Sequence, residues 1–207
     1  MSYWFSFFFP WLLLLWLLST IGPWLKIPAR GWRRLLLYAL VSGALVFLPL
    51  SGLPLGRWLA GLNFQPGIPL LGLFANLIWK RFFQRDLLRP GDRKTAWYFG
   101  ALLGTVLYPM ALGLGNFDPY SLGWSFSSLF LLAALGTLWL IWKDNRFGLL
   151  LLLSIVAYDA RCLESINFWD YLLDPVYWVL SLGVLGRMAV KRIHQPKAAQ
   201  AQALEKA

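Results

Sequence analysis

Apolar residues run along this chain in long blocks, separated by short breaks that are either basic or rich in Pro and Gly. The blocks lack the regular polar face of an amphipathic surface helix. Seven can be marked, at 3–25, 35–53, 67–83, 95–114, 119–142, 147–163 and 175–188. Their lengths fall near the roughly 20 residues that carry a helix across a bilayer. The pattern predicts an all-α fold, a polytopic transmembrane helical bundle of about seven spans. Residues 1–192 form its single domain, and 193–207 form a short polar tail, Ala/Gln/Lys-rich and either helical or disordered.

Two blocks need argument. The first has no basic residue ahead of it and no small-residue cleavage site behind it, so it reads as a retained helix, bent at Pro10, and not as a signal peptide. The third is uncharged only over 68–79, so Lys80 and Arg81 must snorkel to the interface for it to cross.

The breaks carry the charge. If the odd-numbered spans run inward, the inside segments hold Lys26, Arg30, Arg33 and Arg34, then Lys80 to Lys94, then Lys143 and Arg146, then the C-terminal cations. Of the 19 Lys and Arg, only Arg57 and Arg161 fall on the other side. This bias is what the positive-inside rule describes, and it places the N-terminus out and the C-terminus in the cytoplasm. Most of the 13 tryptophans, among them Trp24, Trp32, Trp58, Trp124, Trp142 and Trp169, fall near span ends, where an amphipathic ring favours the headgroup level. A bacterial cytoplasmic (inner) membrane is the expected setting.

Composition agrees. Apolar residues make up 59% and charged residues 14%, against about 25% charged in a soluble domain. The net charge of +10 does not indicate nucleic acid, because the cations are dispersed between apolar blocks and not gathered on one soluble face. One cysteine, Cys162, and one histidine, His194, exclude an internal disulfide, a His-rich zinc site and a Cys/His nucleophile pair. No phosphate loop or dinucleotide fingerprint is present, and no cofactor or metal is expected.

Candidate chemistry concentrates in residues 158–175, which hold four of the nine acidic residues. Asp159 lies deep along the sixth predicted span, where an ionisable group costs roughly 2.5–3.5 kcal/mol and should face protein or a polar cavity. Arg161 and Glu164 are helix neighbours at a spacing of three. If the helix continues, Asn167, Asp170, Tyr171 and Asp174 share a face, an acidic and aromatic surface suited to a cation, a lipid headgroup or a basic partner. The structural alternative is that the helix stops near Tyr158, leaving a wet loop. Asp174-Pro175 would then be an N-cap followed by Pro at the first helical position, as would Asp118-Pro119. Gly100-x-x-x-Gly104 permits close packing, within this chain in preference to dimerisation.

The expected function is a non-enzymatic accessory component of an envelope or lipid-handling system. Its partners would be membrane lipids, together with a membrane protein or a lipid-linked substrate. Two rival readings remain. One is a small transporter or channel with its polar site at Asp159, Arg161 and Glu164. The other is a membrane-embedded enzyme that turns over a lipid-linked substrate at the outer face, with Asp170 and Asp174 as its best-spaced carboxylates.

Overall fold

The structure is a computed structural model describing residues 6–205, with side chains described through 194. Residues 3–5 of the first predicted span and 206–207 of the tail therefore lie outside the described residues. The described residues are all-α apart from one hairpin of two-residue strands. Its nine described helices are α1 (Phe8–Ile21), α2 (Trp32–Val46), α3 (Leu55–Ala60), α4 (Ile68–Phe83), α5 (Pro90–Ala111), α6 (Ser128–Trp142), α7 (Phe147–Asp159), α8 (Trp169–Leu172) and α9 (Pro175–Glu205).

Local chemistry explains where these elements begin and end. Pro10 falls in the first turn of α1, where a missing N–H has no intrahelical partner to lose, so the expected bend has no cause there. Strand β1 (Pro49–Leu50) pairs antiparallel with β2 (Leu53–Pro54). The turn between them uses Ser51 and Gly52, both at positive φ, as a two-residue hairpin requires. Helix α4 closes with Gln84 at φ 57° after Lys80 and Arg81, cations that suit the negative helix end. At the start of α5, the Asp92 carboxylate accepts from Arg89 N at 2.7 Å.

The helices alternate in direction. At one end, Gly31 N donates to Phe82 O at 2.9 Å, Arg89 pairs with Asp144, and Arg146 reaches Leu87 O. This basic end collects the breaks at 26–31, 84–89 and 143–146. The opposite, acidic end collects 47–67, 112–127 and 160–174, where Gly67 N meets Asp174 and Tyr120 meets Asp170. In between, α5 lies along α9, α1 packs on α2 and α4, and α7 packs on α6 and α4. The core between these helices includes Leu70, Phe82, Ala96, Phe147, Tyr171 and Tyr177, each at most 1% exposed.

Helix length does not by itself support the expected count of seven spans. Among the described residues, one continuous apolar helical stretch, Phe8–Leu25, is long enough and apolar enough to cross a membrane, while Ser128–Trp142 and Phe147–Asp159 are shorter apolar helices. A bundle of seven full-length spans does not follow from these lengths. Several of the apolar blocks, among them 35–53, 119–142 and 147–163, were longer than their helices because they included turns. The block at 119–142 divides into a 3-10 turn, Pro119–Gly123, a link, and α6, which Ser127 caps by accepting from Leu129 N at 3.2 Å. The block at 147–163 stops at Asp159, and Arg161 at φ 49° turns the chain away.

Candidate functional site

The acidic stretch is neither a continued helix nor a wet loop. Helix α7 ends at Asp159, and the chain resumes as the single turn α8, so Asn167, Asp170, Tyr171 and Asp174 do not share one helical face as the spacing suggested. Instead the segment divides by burial. Asp159, Arg161 and Glu164 are exposed, and no hydrogen bond or ion pair joins their side chains to another group among the described residues. Asn167, Tyr171 and Asp174 are buried, at 2% exposure or less, and Asp170 is partly buried.

The buried members bind the acidic end together. Asn167 Nδ2 donates to Tyr120 O at 3.1 Å, while its Oδ1 accepts from Trp169 N at 2.9 Å. Trp169 Nε1 donates to Pro119 O at 2.8 Å, and Phe168 N donates to Gly123 O at 2.9 Å. Residues 167–169 thus lie against the 3-10 turn Pro119–Gly123. Gly123 is required at this contact, because a Cβ there would meet Asn167 Oδ1 at 1.8 Å. The Tyr171 hydroxyl accepts from Leu163 N at 3.2 Å and lies 3.1 Å from Ser165 O, closing the loop beneath it.

Asp174 joins three segments. Its Oδ1 accepts from Asn63 Nδ2 at 2.8 Å and from Tyr177 N at 2.9 Å, and its Oδ2 accepts from Gly67 N at 2.9 Å. The Tyr177 bond is the N-cap of α9 that Asp-Pro implied. The Asn63 and Gly67 bonds were not legible in the sequence: the only signal was a Pro/Gly-rich connection with no periodicity. Tyr120 was missed as well, and its hydroxyl donates to the Asp170 carboxylate at 3.0 Å.

Burial pushes the Asp174 carboxyl up to about 6, against the opposing pull of Tyr177, Gly67 and Asn63. Burial also raises Asp170, against the Ser165 and Tyr120 hydroxyls. A carboxyl whose folded pKa exceeds its unfolded value holds a proton that the unfolded chain has released. Between about pH 4 and 6 the native state therefore binds more protons, and stability rises as pH falls. Thermal unfolding in mild detergent should accordingly show a melting temperature that climbs from pH 7 to pH 5. A slope of up to about 1.4 kcal/mol per pH unit is expected from Asp174. The slope should fall markedly in Asp174→Asn, leaving only the contribution of Asp170; a flat wild-type profile would remove the assignment.

With its oxygens spent on three donors, Asp174 is poorly placed as an acid or base toward substrate. None of the four cavities identified includes Asp170 or Asp174 in its wall. No group of three His, Cys, Asp or Glu side chains converges as metal ligands among the described residues.

The largest of these cavities is elsewhere. A groove of about 510 Å³ runs between α5, α6 and α7 and is floored by Trp169 and Leu172 of α8. Leu102, Leu132, Ala133, Gly136 and Leu151 line it, and Thr95 and Tyr98 are its few polar contacts. Its volume is in the range of small-molecule sites, but its wall offers a hydrocarbon partner little except apolar surface. Compared with models of known families, with curated proteins and with solved structures, the chain shows no match.

Proposed function

We propose that this chain is a multi-pass integral membrane protein working without catalysis as a component of an envelope or lipid-handling system, and that its groove holds the hydrocarbon chain of a lipid or lipid-linked partner. The seven membrane-embedded segments of this reading are α1, α2, α4, α5, α6, α7 and α9, with the basic end in the cytoplasm of a bacterial cell. Several of these helices are shorter than a hydrocarbon core of about 30 Å. Local thinning of the bilayer and snorkelling of flanking residues accommodate that shortfall.

Surface chemistry supports lipid as the surrounding solvent. Leu40, Leu102, Leu132, Leu138, Leu149 and Val179 are exposed along the outer faces of the helices. Such continuous apolar exposure marks a membrane or protein interface in place of water. Exposed Trp24, Trp32 and Trp142 stand at the basic end, and Trp58 and Trp124 at the other, forming two aromatic levels.

The apolar groove is the observation that carries the lipid-handling part of the reading. Gly136 provides its test, since a Cβ there meets nothing within 4 Å. In Gly136→Phe the ring should fill the groove without disturbing the fold. Lipid co-purifying with the chain in mild detergent, measured by mass spectrometry after organic extraction, should fall at least several-fold while the melting temperature holds. Unchanged lipid content would refute the groove as a binding site.

A further inference from the structure

We propose that the basic end carries a second site, specific for the phosphate of an anionic lipid headgroup, in the cleft between α4, α5 and α9. This rests on the membrane reading of the chain but not on the apolar groove, which lies against a different face of α5.

A cavity of about 250 Å³ opens in this cleft, with Asn76, Arg93 and Lys94 around it and Leu73, Leu77, Val184 and Met188 along its wall. Asn76 is 1% exposed. Its Oδ1 accepts from Leu88 N at 2.8 Å, which determines which amide atom is oxygen and which is nitrogen. Its Nδ2 finds no acceptor in good hydrogen-bonding geometry, the one buried side-chain polar atom in that condition among the described residues. The nearest anion is the Asp86 carboxylate, whose pKa is lowered above all by Lys80 and to a smaller degree by Asn76. Leaving such a donor unsatisfied costs about 1–3 kcal/mol, and an orphan of this kind in a folded protein calls for a specific explanation. An anion entering the cleft supplies the acceptor.

The charges around the cleft favour that anion. Lys94 lies 5.8 Å from the Tyr98 ring centre and makes no ion pair among the described residues. Arg93 Nη1 is 3.1 Å from Asp86 Oδ1, and Lys80 Nζ holds the other oxygen of Asp86 at 3.0 Å. Asp86 is thus outnumbered by two cations, and Asp92 is spent on Arg89 N. The cleft also adjoins the start of α5, the positive end of a 22-residue helix. Apolar walls beneath these groups select a phosphate that carries hydrocarbon over a free one. Trp97, also on the wall, supplies the ring that sits well at headgroup level.

Native mass spectrometry of the intact chain in mild detergent, titrated with phosphatidylglycerol, phosphatidylcholine or inorganic phosphate, tests the site. Phosphatidylglycerol should bind in preference to phosphatidylcholine, and millimolar inorganic phosphate should not displace it. Lys94→Gln should lower that affinity about fivefold, the worth of one cation near a headgroup. Asn76→Asp, which keeps the acceptor for Leu88 N but turns the orphan donor into an anion, should lower it at least as far. Phosphatidylcholine binding should not change in either variant. The exposed Lys94 variant decides the matter if Asn76→Asp fails to fold. Equal affinity in wild type and Lys94→Gln, no preference between the two lipids, or displacement by inorganic phosphate would overturn the proposal. Alkaline extraction of membranes carrying the chain reports separately on its foundation: release would defeat the membrane reading, whereas retention without headgroup preference defeats only this site.

Discussion

Asp174→Ala should destabilise the protein by several kcal/mol, at about 1–3 kcal/mol for each buried donor left without an acceptor. Three donors lose their acceptor at once: Asn63 Nδ2, Gly67 N and Tyr177 N. The site is 2% exposed, so water replaces the carboxylate poorly. Asp174→Asn should be milder, at about 1–3 kcal/mol. Its remaining oxygen serves the Oδ1 partners, but its amide nitrogen sets a donor against Gly67 N. Thermal or denaturant unfolding in mild detergent, followed by tryptophan fluorescence, measures both. An alanine variant within 1 kcal/mol of wild type would show that the clamp does not hold the acidic end.

The second large effect concerns the face between α5 and α9. A Cβ on Gly100 would lie 2.4 Å from Ser181 Oγ and 2.8 Å from the Tyr177 ring, and one on Gly104 would lie 2.4 Å from the Trp178 ring. The Gly-x-x-x-Gly face is therefore covered from within the chain. Gly100→Leu should cost at least the 1–3 kcal/mol typical of overpacking. It should also disturb the Tyr177 hydroxyl, which donates to Ala96 O. A matched control lies on the partner helix, where a Cβ on Gly183 meets nothing within 4 Å. Gly183→Ala should be neutral or stabilising by up to about 1 kcal/mol through helix propensity. Opposite signs in the two variants, read as melting temperatures, identify tight packing as the cause. A dimer that dissociates in Gly100→Leu with no loss of monomer stability would contradict it.

Much of the helical order was legible in the sequence because it depends on short-range signals. Apolar blocks located six of the seven long helices to within a few residues at one end or both, and Asp-Pro marked the start of α9. Span length was less legible. Hydrophobicity does not distinguish a helix from the apolar turn that precedes it, so Pro119–Gly123 was counted into the fifth span and 160–163 into the sixth. At the candidate site, charge drew attention to Asp159, Arg161 and Glu164, which lie exposed. The residues that organise the acidic end are Asn63, Tyr120 and Asn167, and two of these three were not flagged. Their partners are 111, 50 and 47 positions away in the chain, a separation over which no local periodicity operates. Asn76, inside the third apolar block, binds through its oxygen to Leu88 N in the following turn, a contact that block hydrophobicity does not signal.

The Asp174 clamp also bears on the order in which the protein is made. Asn63 and Gly67 reach the ribosome exit 111 and 107 residues before the carboxylate that satisfies them. Throughout synthesis of the intervening helices, neither donor has the Asp174 carboxylate as its acceptor. Closure of the acidic end is consequently a late step, completed only when the final helix arrives. A chain terminated anywhere short of that helix would lack the carboxylate that joins Asn63 and Gly67 to α9.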